Sequence, residues 1–341
     1  MWYTIQKEGV IDMEKKYALI DLHLHLDGSL SPDSVKKLAA MQNITIPEND
    51  EALKEMLQVS EGCRNLNEYL EKFDFPCSLM QTEMGISRAV EHLEAELTAQ
   101  GLLYAEIRFA PQLHTLKGLT QREVVAAAVS GMGKSALRSN LILCCMRGKD
   151  NHEENLETIR VAKEFLRKGV GAVDLAGAEA LFPTENFAGL FALAKELEIP
   201  YTIHAGEAVG PESVYKALEF GAKRIGHGVR SIEDENLMKR LAEEEITLEL
   251  CPTSNLNTSI FGCYEEYPLR KLMDAGVKVT INTDNMTVSN TTVAEELRHL
   301  VEALQLTEEE LHQLMENAAE ASFAAEKTKN WLKEEIRRRF A

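Results

Sequence analysis

Tyr17-Ala18-Leu19-Ile20-Asp21-Leu22-His23-Leu24-His25-Leu26, closed by Asp27-Gly28-Ser29, is a short apolar run stopped by turn-forming residues. Such a run reads as a buried strand. Seven more of the kind follow: Leu103–Pro111, Asn140–Arg147, Gly171–Gly177, Tyr201–Glu207, Arg224–Gly228, Thr247–Asn255 and Lys278–Asp284. Helical patterns lie between most of them, among them Glu154–Arg167, Asn186–Leu197, Pro211–Phe220 and Ile232–Glu244. Strands alternating with helices need crossover connections, hence a parallel sheet. Eight such units, with no GxGxxG after the first, fit a closed (β/α)8 TIM barrel of the α/β class better than an open doubly wound sheet.

The first connection is the long one. Gly28 to Gly101 contains helical patterns at Ser31–Gln42, Glu51–Gln58, Asn65–Met80 and Ile86–Gln100. Following the first strand, this insertion sits on the barrel's C-terminal face, as a lid over a site or as a structural cap. Beyond the last strand, Ala294–Leu304, Thr307–Ala321 and Ala325–Phe340 read as extra closing helices. No Pro/Gly/Ser linker, low-complexity stretch or internal repeat divides the 341 residues. The expectation is one domain over 1–341 with a helical insertion at about 28–101.

Composition narrows the partners. Apolar residues make up 45% and charged residues 27%, which excludes a disordered or collagen-like chain. With 37 basic and 55 acidic side chains the formal charge is −18. That sign repels phosphate backbones, so no nucleic-acid partner is expected, while small neutral substrates stay open. No stretch approaches 18 consecutive apolar residues, so no membrane partner is expected either. The start, Met1 to Glu8, lacks the basic and apolar segments of a signal peptide. Six cysteines, Cys63, Cys77, Cys144, Cys145, Cys251 and Cys263, form no CxxC pair. They read as reduced, mostly buried thiols of a cytoplasmic protein.

Chemistry gathers at the strand ends. His23 and His25 are two apart on a strand, so they share one face and can share one metal ion. On the inward face of an apolar barrel, two imidazoles without partners would be costly. Ile203-His204-Ala205-Gly206-Glu207 ends the fifth strand, Arg224-Ile225-Gly226-His227-Gly228 the sixth, and Ile281-Asn282-Thr283-Asp284-Asn285 the eighth. Each sets a histidine or carboxylate where the catalytic groups of such barrels converge. Three imidazoles (His23, His25, His204) and one carboxylate (Asp284) suit a single zinc ion with an open position for water, whose pKa it lowers toward neutrality.

HLHLDGS at 23–29, DLAGAE at 174–179, IHAGE at 203–207, RIGHG at 224–228, CPTSN at 251–255 and NTDN at 282–285, in this order, resemble the adenosine deaminase family of the metal-dependent amidohydrolase superfamily. Glu68–Phe75 also resembles that family's lid helix. The resemblance implies hydrolytic deamination of adenosine, and of 2′-deoxyadenosine, to inosine and ammonia. It implies one Zn2+ per chain on His23, His25, His204 and Asp284. Binuclear relatives carry a bridging lysine on the fourth strand, and Gly171–Gly177 contains none. Glu207 would donate a proton to purine N1, and His227 would orient and help deprotonate the attacking water. Asp27 would accept from the ribose 5′-hydroxyl and the Gly177 N–H would reach N3. Tyr69 and Phe73 would line the lid side of the pocket.

Two features bear on the substrate. Relatives acting on free adenine carry Glu where this chain has Asp27, which leans toward the nucleoside. Many family members have a second aspartate where this chain has Asn285, the residue expected at purine N7. An amide donates there without having to be protonated first, which should change the pH dependence of that contact. The alternatives are deaminases of adenine, methylthioadenosine or aminofutalosine on the same fold. A nucleoside binder with a disabled site would have lost Glu207 or His227, and both are present. His92-Leu93-Glu94 matches half of the cytidine/tRNA deaminase signature, but no PCxxC follows it.

Overall fold

The computed structural model describes residues 13–60, 63 and 66–340. The Met1–Glu8 stretch and Asn65, the expected start of a helix, lie outside them. Eight strands are present among the described residues: β1 (Ile20–His25), β2 (Tyr104–Phe109), β3 (Arg138–Met146), β4 (Val170–Ala176), β5 (His204–Ala205), β6 (Arg224–His227), β7 (Thr247–Leu250) and β8 (Lys278–Ile281). They pair in parallel in the orders β1-β2-β3-β4 and β5-β6-β7-β8. Two seams close the cylinder. At one, Val173 N–H donates to Pro200 O (3.0 Å) and Thr202 N–H to Val173 O (3.1 Å). At the other, His25 N–H donates to Asp284 O and Asp284 N–H to His23 O, both at 2.7 Å. The result is a (β/α)8 barrel, and its second seam brings His23, His25 and Asp284 together from opposite ends of the chain.

The outer ring begins with Glu83–Ala99, which lies beside Gln121–Gly131. Gly131 permits the close approach, since a Cβ there would stand 2.3 Å from Ser87 O. Glu83–Ala99 is thus the ordinary β1-to-β2 crossover helix, and only the helical pieces before it are extra. These are Pro32–Gln42, Asp50–Leu57, Leu66–Leu70, the 3-10 turn Glu71–Phe73 and Asp74–Leu79. The single helix expected over Asn65–Met80 is broken because Pro76, lacking an N–H, is tolerated only in a first turn, and a new helix starts at Asp74 to provide one.

Two strands fall furthest short of their apolar runs. The run Thr247–Asn255 stops as a strand at Leu250, because Pro252 opens a helix, Pro252–Asn257, where its fixed φ and missing N–H fit the first position. Of Tyr201–Glu207 only His204 and Ala205 pair as β5, and Gly206 (φ 71°) then turns the chain. The closing helices are Val293–Leu304, Glu308–Ala321 and Glu326–Phe340. The link between the last two seals the barrel floor: Arg224 donates to Ala321 O (3.1 Å) and stacks 4.0 Å from the Phe323 ring. No described helix is long and apolar enough to cross a membrane. Cys144, Cys145 and Cys251 are buried, whereas Cys63, Cys77 and Cys263 are only half-buried.

Candidate active site

The barrel interior is not apolar. Arg108, on β2, donates to Asp174 Oδ2 (3.0 Å), Glu249 Oε2 (2.8 Å) and Leu22 O (2.6 Å). Arg224, on β6, donates to Glu249 Oε1 and Glu106 Oε2, both at 2.6 Å. All five side chains are buried, so each charge needs these partners to be tolerated. The network ends upward on two imidazoles. His23 Nδ1 meets Glu249 Oε2 at 2.8 Å, and His204 Nδ1 lies 2.8 Å from Asp174 Oδ2. His23, one of the two imidazoles (with His25) expected to face inward, avoids the cost of burial through a carboxylate, and His204 has one beside it too, which leaves their Nε2 atoms for the mouth.

Those Nε2 atoms converge. His25 Nε2 is 3.2 Å from His204 Nε2, and Asp284 Oδ1 is 3.4 Å from the Nε2 of both His23 and His25. His23 Nε2 is buried and makes no hydrogen bond. Asp284 is steadied by Ser254 Oγ, which donates to Oδ2 at 2.6 Å. A ring nitrogen held by a carboxylate with the other left open is the usual state of a metal-ligating histidine. His23, His204, His227 and Asp284 also form a cluster of donor atoms within 4.8 Å of one another, so the group can hold a metal ion. His227 differs from the others in its support: Asn255 Nδ2 is 3.2 Å from its Nδ1, and Tyr267 donates to Asn255 Oδ1 (3.0 Å). An amide, not a carboxylate, fixes this ring, and its Nε2 faces Glu207 Oε2 at 3.6 Å. Asp284 and His227 both have φ near +60°, a conformation that costs about 1–3 kcal/mol and is retained where the surroundings demand it.

Glu207 is buried, with Oε1 unpartnered. Burial first, then the Asp284 and Glu179 carboxylates, push its carboxyl well above the usual range, which favours the form that holds a proton. Burial also holds His227 well below the ordinary imidazole value, leaving it neutral and able to accept one. Glu179 anchors the turn that presents Glu207. Its carboxylate accepts from the backbone N–H groups of Gly206 (2.8 Å), Glu207 (3.1 Å), Ala208 (2.8 Å) and Val209 (3.0 Å), and from Ser213 Oγ (2.5 Å).

A cavity of about 480 Å³ opens above the histidines, within the range of small-molecule sites. Ten of the eleven residues expected from the sequence line it: His25, Asp27, Tyr69, Phe73, Gly177, His204, Glu207, His227, Asp284 and Asn285. His23 lies just beneath, fully buried. A neighbouring cavity of about 490 Å³ shares only Leu66 and Glu207 with it. Tyr69 donates to, or accepts from, Ser289 Oγ at 2.6 Å, which ties the insertion to the loop after β8, and its ring stands 6.2 Å from Phe73. Asn285 Oδ1 packs so close to Gly28 that a Cβ there would come within 1.9 Å, which explains the glycine.

Sequence reasoning passed over Asp174, Glu179, Glu249, Ser254 and Asn255 as individual residues. Asp174 and Glu179 stand in DLAGAE, and Ser254 and Asn255 in CPTSN. Glu249 is a lone acid at an inward position of Thr247-Leu248-Glu249-Leu250, a signal that alternation on a strand makes readable.

The adenosine deaminase family profile matches residues 18–339. An adenosine deaminase of Haemophilus ducreyi is 49% identical over 334 residues, covering 95% of this chain and 97% of its own. One from Clostridium acetobutylicum is 41% identical over 329 residues, with 95% and 97% covered. Among solved structures, an adenine deaminase from Arthrobacter aurescens superimposes with a TM-score of 0.85 at 26% identity, over 94% of this chain and 98% of that one.

Proposed function

The chain belongs to the adenosine deaminase family, and from that premise we propose that it converts adenosine and 2′-deoxyadenosine hydrolytically to inosine or its deoxy form and ammonia, with one zinc ion per chain held by His23, His25, His204 and Asp284. One observation carries the reading. The Nε2 atoms of three histidines and an oxygen of Asp284 meet beneath a cavity whose wall presents the buried Glu207. The donor set fits zinc, because His23 Nε2 is buried without a hydrogen bond while its other nitrogen is held by Glu249. Zinc in such a site supplies a water acidified toward neutrality.

The chain's own residues do the rest. Glu207 gives its proton to purine N1, which makes C6 electrophilic. His227, neutral and fixed by Asn255, orients the attacking water and takes its proton. The new C6–O bond leaves a tetrahedral carbon; its collapse breaks C6–N as the proton held by His227 passes to the departing amine, released as ammonia, and the C6 hydroxyl proton returns to Glu207. Asp27 accepts from the ribose 5′-hydroxyl, the Gly177 N–H reaches N3, and the Asn285 amide donates to N7. Tyr69 and Phe73 close the cavity from the insertion, so the chain works as one catalytic domain under a lid drawn from the helical pieces between β1 and Glu83. The thiols of Cys144, Cys145 and Cys251, buried among the barrel elements, fit a reducing compartment such as the cytoplasm.

A base such as adenine offers Asp27 no hydroxyl, which favours the nucleoside. The test is a panel of adenosine, 2′-deoxyadenosine, adenine, methylthioadenosine and aminofutalosine, followed by ultraviolet absorbance alongside the zinc content of the sample. Adenosine should be turned over fastest by protein containing one zinc per chain. Faster turnover of adenine would transfer the reading to the free base.

A further inference from the structure

The helix that leaves the loop after β8, Val293–Leu304, carries an acid on its buried face. Glu296 is fully buried, its Oε2 accepts from the Thr253 backbone N–H at 3.1 Å, and its Oε1 has no partner. An apolar side chain would fill this position without the cost of a buried polar oxygen, so what the acid adds is an acceptor. Thr253 needs one. It stands in the first turn of Pro252–Asn257, where a backbone N–H finds no partner within the helix. The same long helix takes hold of Thr253 a second time. Thr253 Oγ1 lies 2.6 Å from the Tyr264 hydroxyl, and the Tyr264 ring stacks at 4.7 Å on His299, one turn beyond Glu296. The two residues that follow Thr253 serve the site directly. Ser254 Oγ donates to Asp284 Oδ2 (2.6 Å), and Asn255 Nδ2 lies 3.2 Å from His227 Nδ1.

We propose that Glu296 is a positioning residue for the deamination, holding Thr253 so that Ser254 steadies Asp284 and Asn255 fixes the ring of His227. Glu296 does not line the cavity and acts only through Thr253. Its bearing on rate rests on the roles given above to Asp284 and His227. Because Glu296 follows the loop after β8, its bond to Thr253 ties the segment after β7 to the segment after β8, and one contact sets the two supports against each other. Without it the Thr253 N–H is unpaired and Ser254 and Asn255 are free to shift. A displacement of about 1 Å at such a distance from the chemistry costs about 10²-fold in rate. Burial pushes the Glu296 carboxyl up to about 8, against the pull of Thr253 and Thr291, so a glutamine copies both the shape and the charge of its neutral form.

The experiment compares three variants. Glu296→Gln keeps an acceptor oxygen, Glu296→Asp withdraws it by one methylene, and Glu296→Leu removes it at similar volume. Rates are taken at saturating zinc, per bound metal, on whichever 6-aminopurine the parent turns over fastest. Glu296→Leu should lower kcat by about 10–100-fold with KM within about twofold of the parent, and Glu296→Gln should restore kcat to within about threefold. Glu296→Asp should fall between them, and it carries the comparison should the leucine variant not fold. Combined with Asn255→Ala, Glu296→Leu should cost less than the product of the two separate losses, since both act on one ring. A readout without turnover is the visible spectrum of Co2+ bound in place of zinc, which follows the geometry around the ion and so reports on Asp284. Glu296→Leu should alter that spectrum and Glu296→Gln should leave it as in the parent. An unchanged kcat and spectrum in Glu296→Leu would overturn the proposal, as would a Glu296→Gln as slow as the leucine variant or losses that multiply in full. A parent that deaminates nothing, while its Co2+ spectrum responds to Glu296→Leu and not to Glu296→Gln, would overturn the function proposed above and uphold the hold of Glu296 on Asp284.

Discussion

The floor of the barrel and its mouth are built from the same residue types and treat them in opposite ways. On the floor, every carboxylate oxygen of Glu106, Asp174 and Glu249 accepts a hydrogen bond, from Arg108, Arg224, His23, Tyr104, Thr202, Cys144 or backbone N–H groups. At the mouth, His23 Nε2, Asp27 Oδ1 and Glu207 Oε1 are buried with no partner. A satisfied network in low dielectric is rigid, and an unsatisfied buried group is costly unless a ligand completes it. The floor therefore fixes the direction of the imidazoles, and the mouth keeps open the atoms that meet metal and substrate.

The largest expected effect comes from removing a group that spans both levels. His204→Ala takes away an Nε2 at the mouth and the contact to Asp174 below, and zinc and activity should disappear together. Metal analysis of the purified variant checks this; a full equivalent of zinc would strike His204 from the ligand set. Next is Glu207→Gln, which touches only the mouth. Zinc content should stay at one while turnover falls by about 10²–10⁴-fold, the range for a positioned general acid. The pH profile adds a sign. Glu207 must be protonated and its carboxyl is raised, so the parent rate falls as pH rises through that value. His227 must be neutral and is depressed, so the rate also falls as pH drops through that one. Glu207→Gln should abolish the alkaline limb.

Glu179→Gln sharpens the contrast, because Glu179 is a saturated acceptor that serves the mouth. Its replacement sets an NH2 against a run of N–H donors and should lower turnover by about 10–100-fold through misplacement of Glu207. It also removes a negative neighbour, so the alkaline limb should move to lower pH. A rate loss with an unmoved limb would reduce Glu179 to a structural cap. Glu249→Gln acts wholly from the floor. It should weaken zinc by about 10–100-fold, as loss of a carboxylate behind a ligating histidine does, while kcat at saturating zinc changes less. Competition with a chelator measures the affinity, and an unchanged value would separate floor from mouth altogether.

The mouth was the more legible of the two levels. His23 and His25 announce themselves by strand alternation, and His204, His227 and Asp284 by standing where apolar runs end, so local patterns suffice for them. The floor depends on pairs far apart in the chain, such as Arg108 with Glu249, whose meeting requires the barrel to close. Alternation places Glu249 inward but does not name its partner. Strand ends were misjudged where a backbone feature outranked hydrophobicity: Pro252 was a readable stop for β7, whereas the left-handed φ of His227 and Asp284 leaves no trace in residue type. The pattern Ile86–Gln100 reads as part of the insertion because it does not distinguish a crossover helix, here Glu83–Ala99, from a lid helix. Only its packing against Gln121–Gly131 does.

The smallest effect is expected where the mouth already has its donor. Asn285 is buried on the cavity wall beside Asp284, with Oδ1 against Gly28, so the amide is confined and its NH2 needs no proton uptake to donate to purine N7. Asn285→Asp conserves the shape and replaces that permanent donor with a group that donates only while protonated. Below the pKa of the new carboxyl, KM for adenosine should match the parent. As pH rises through it, the contact turns from donor–acceptor to acceptor–acceptor and KM should climb, by roughly tenfold for one buried hydrogen bond. The alkaline limb set by Glu207 acts on kcat, so the two titrations separate when kcat and KM are measured across the same pH range. A KM that stays flat through that range would remove N7 from the neighbourhood of residue 285 and leave Asn285 to the packing of the HLDGS turn.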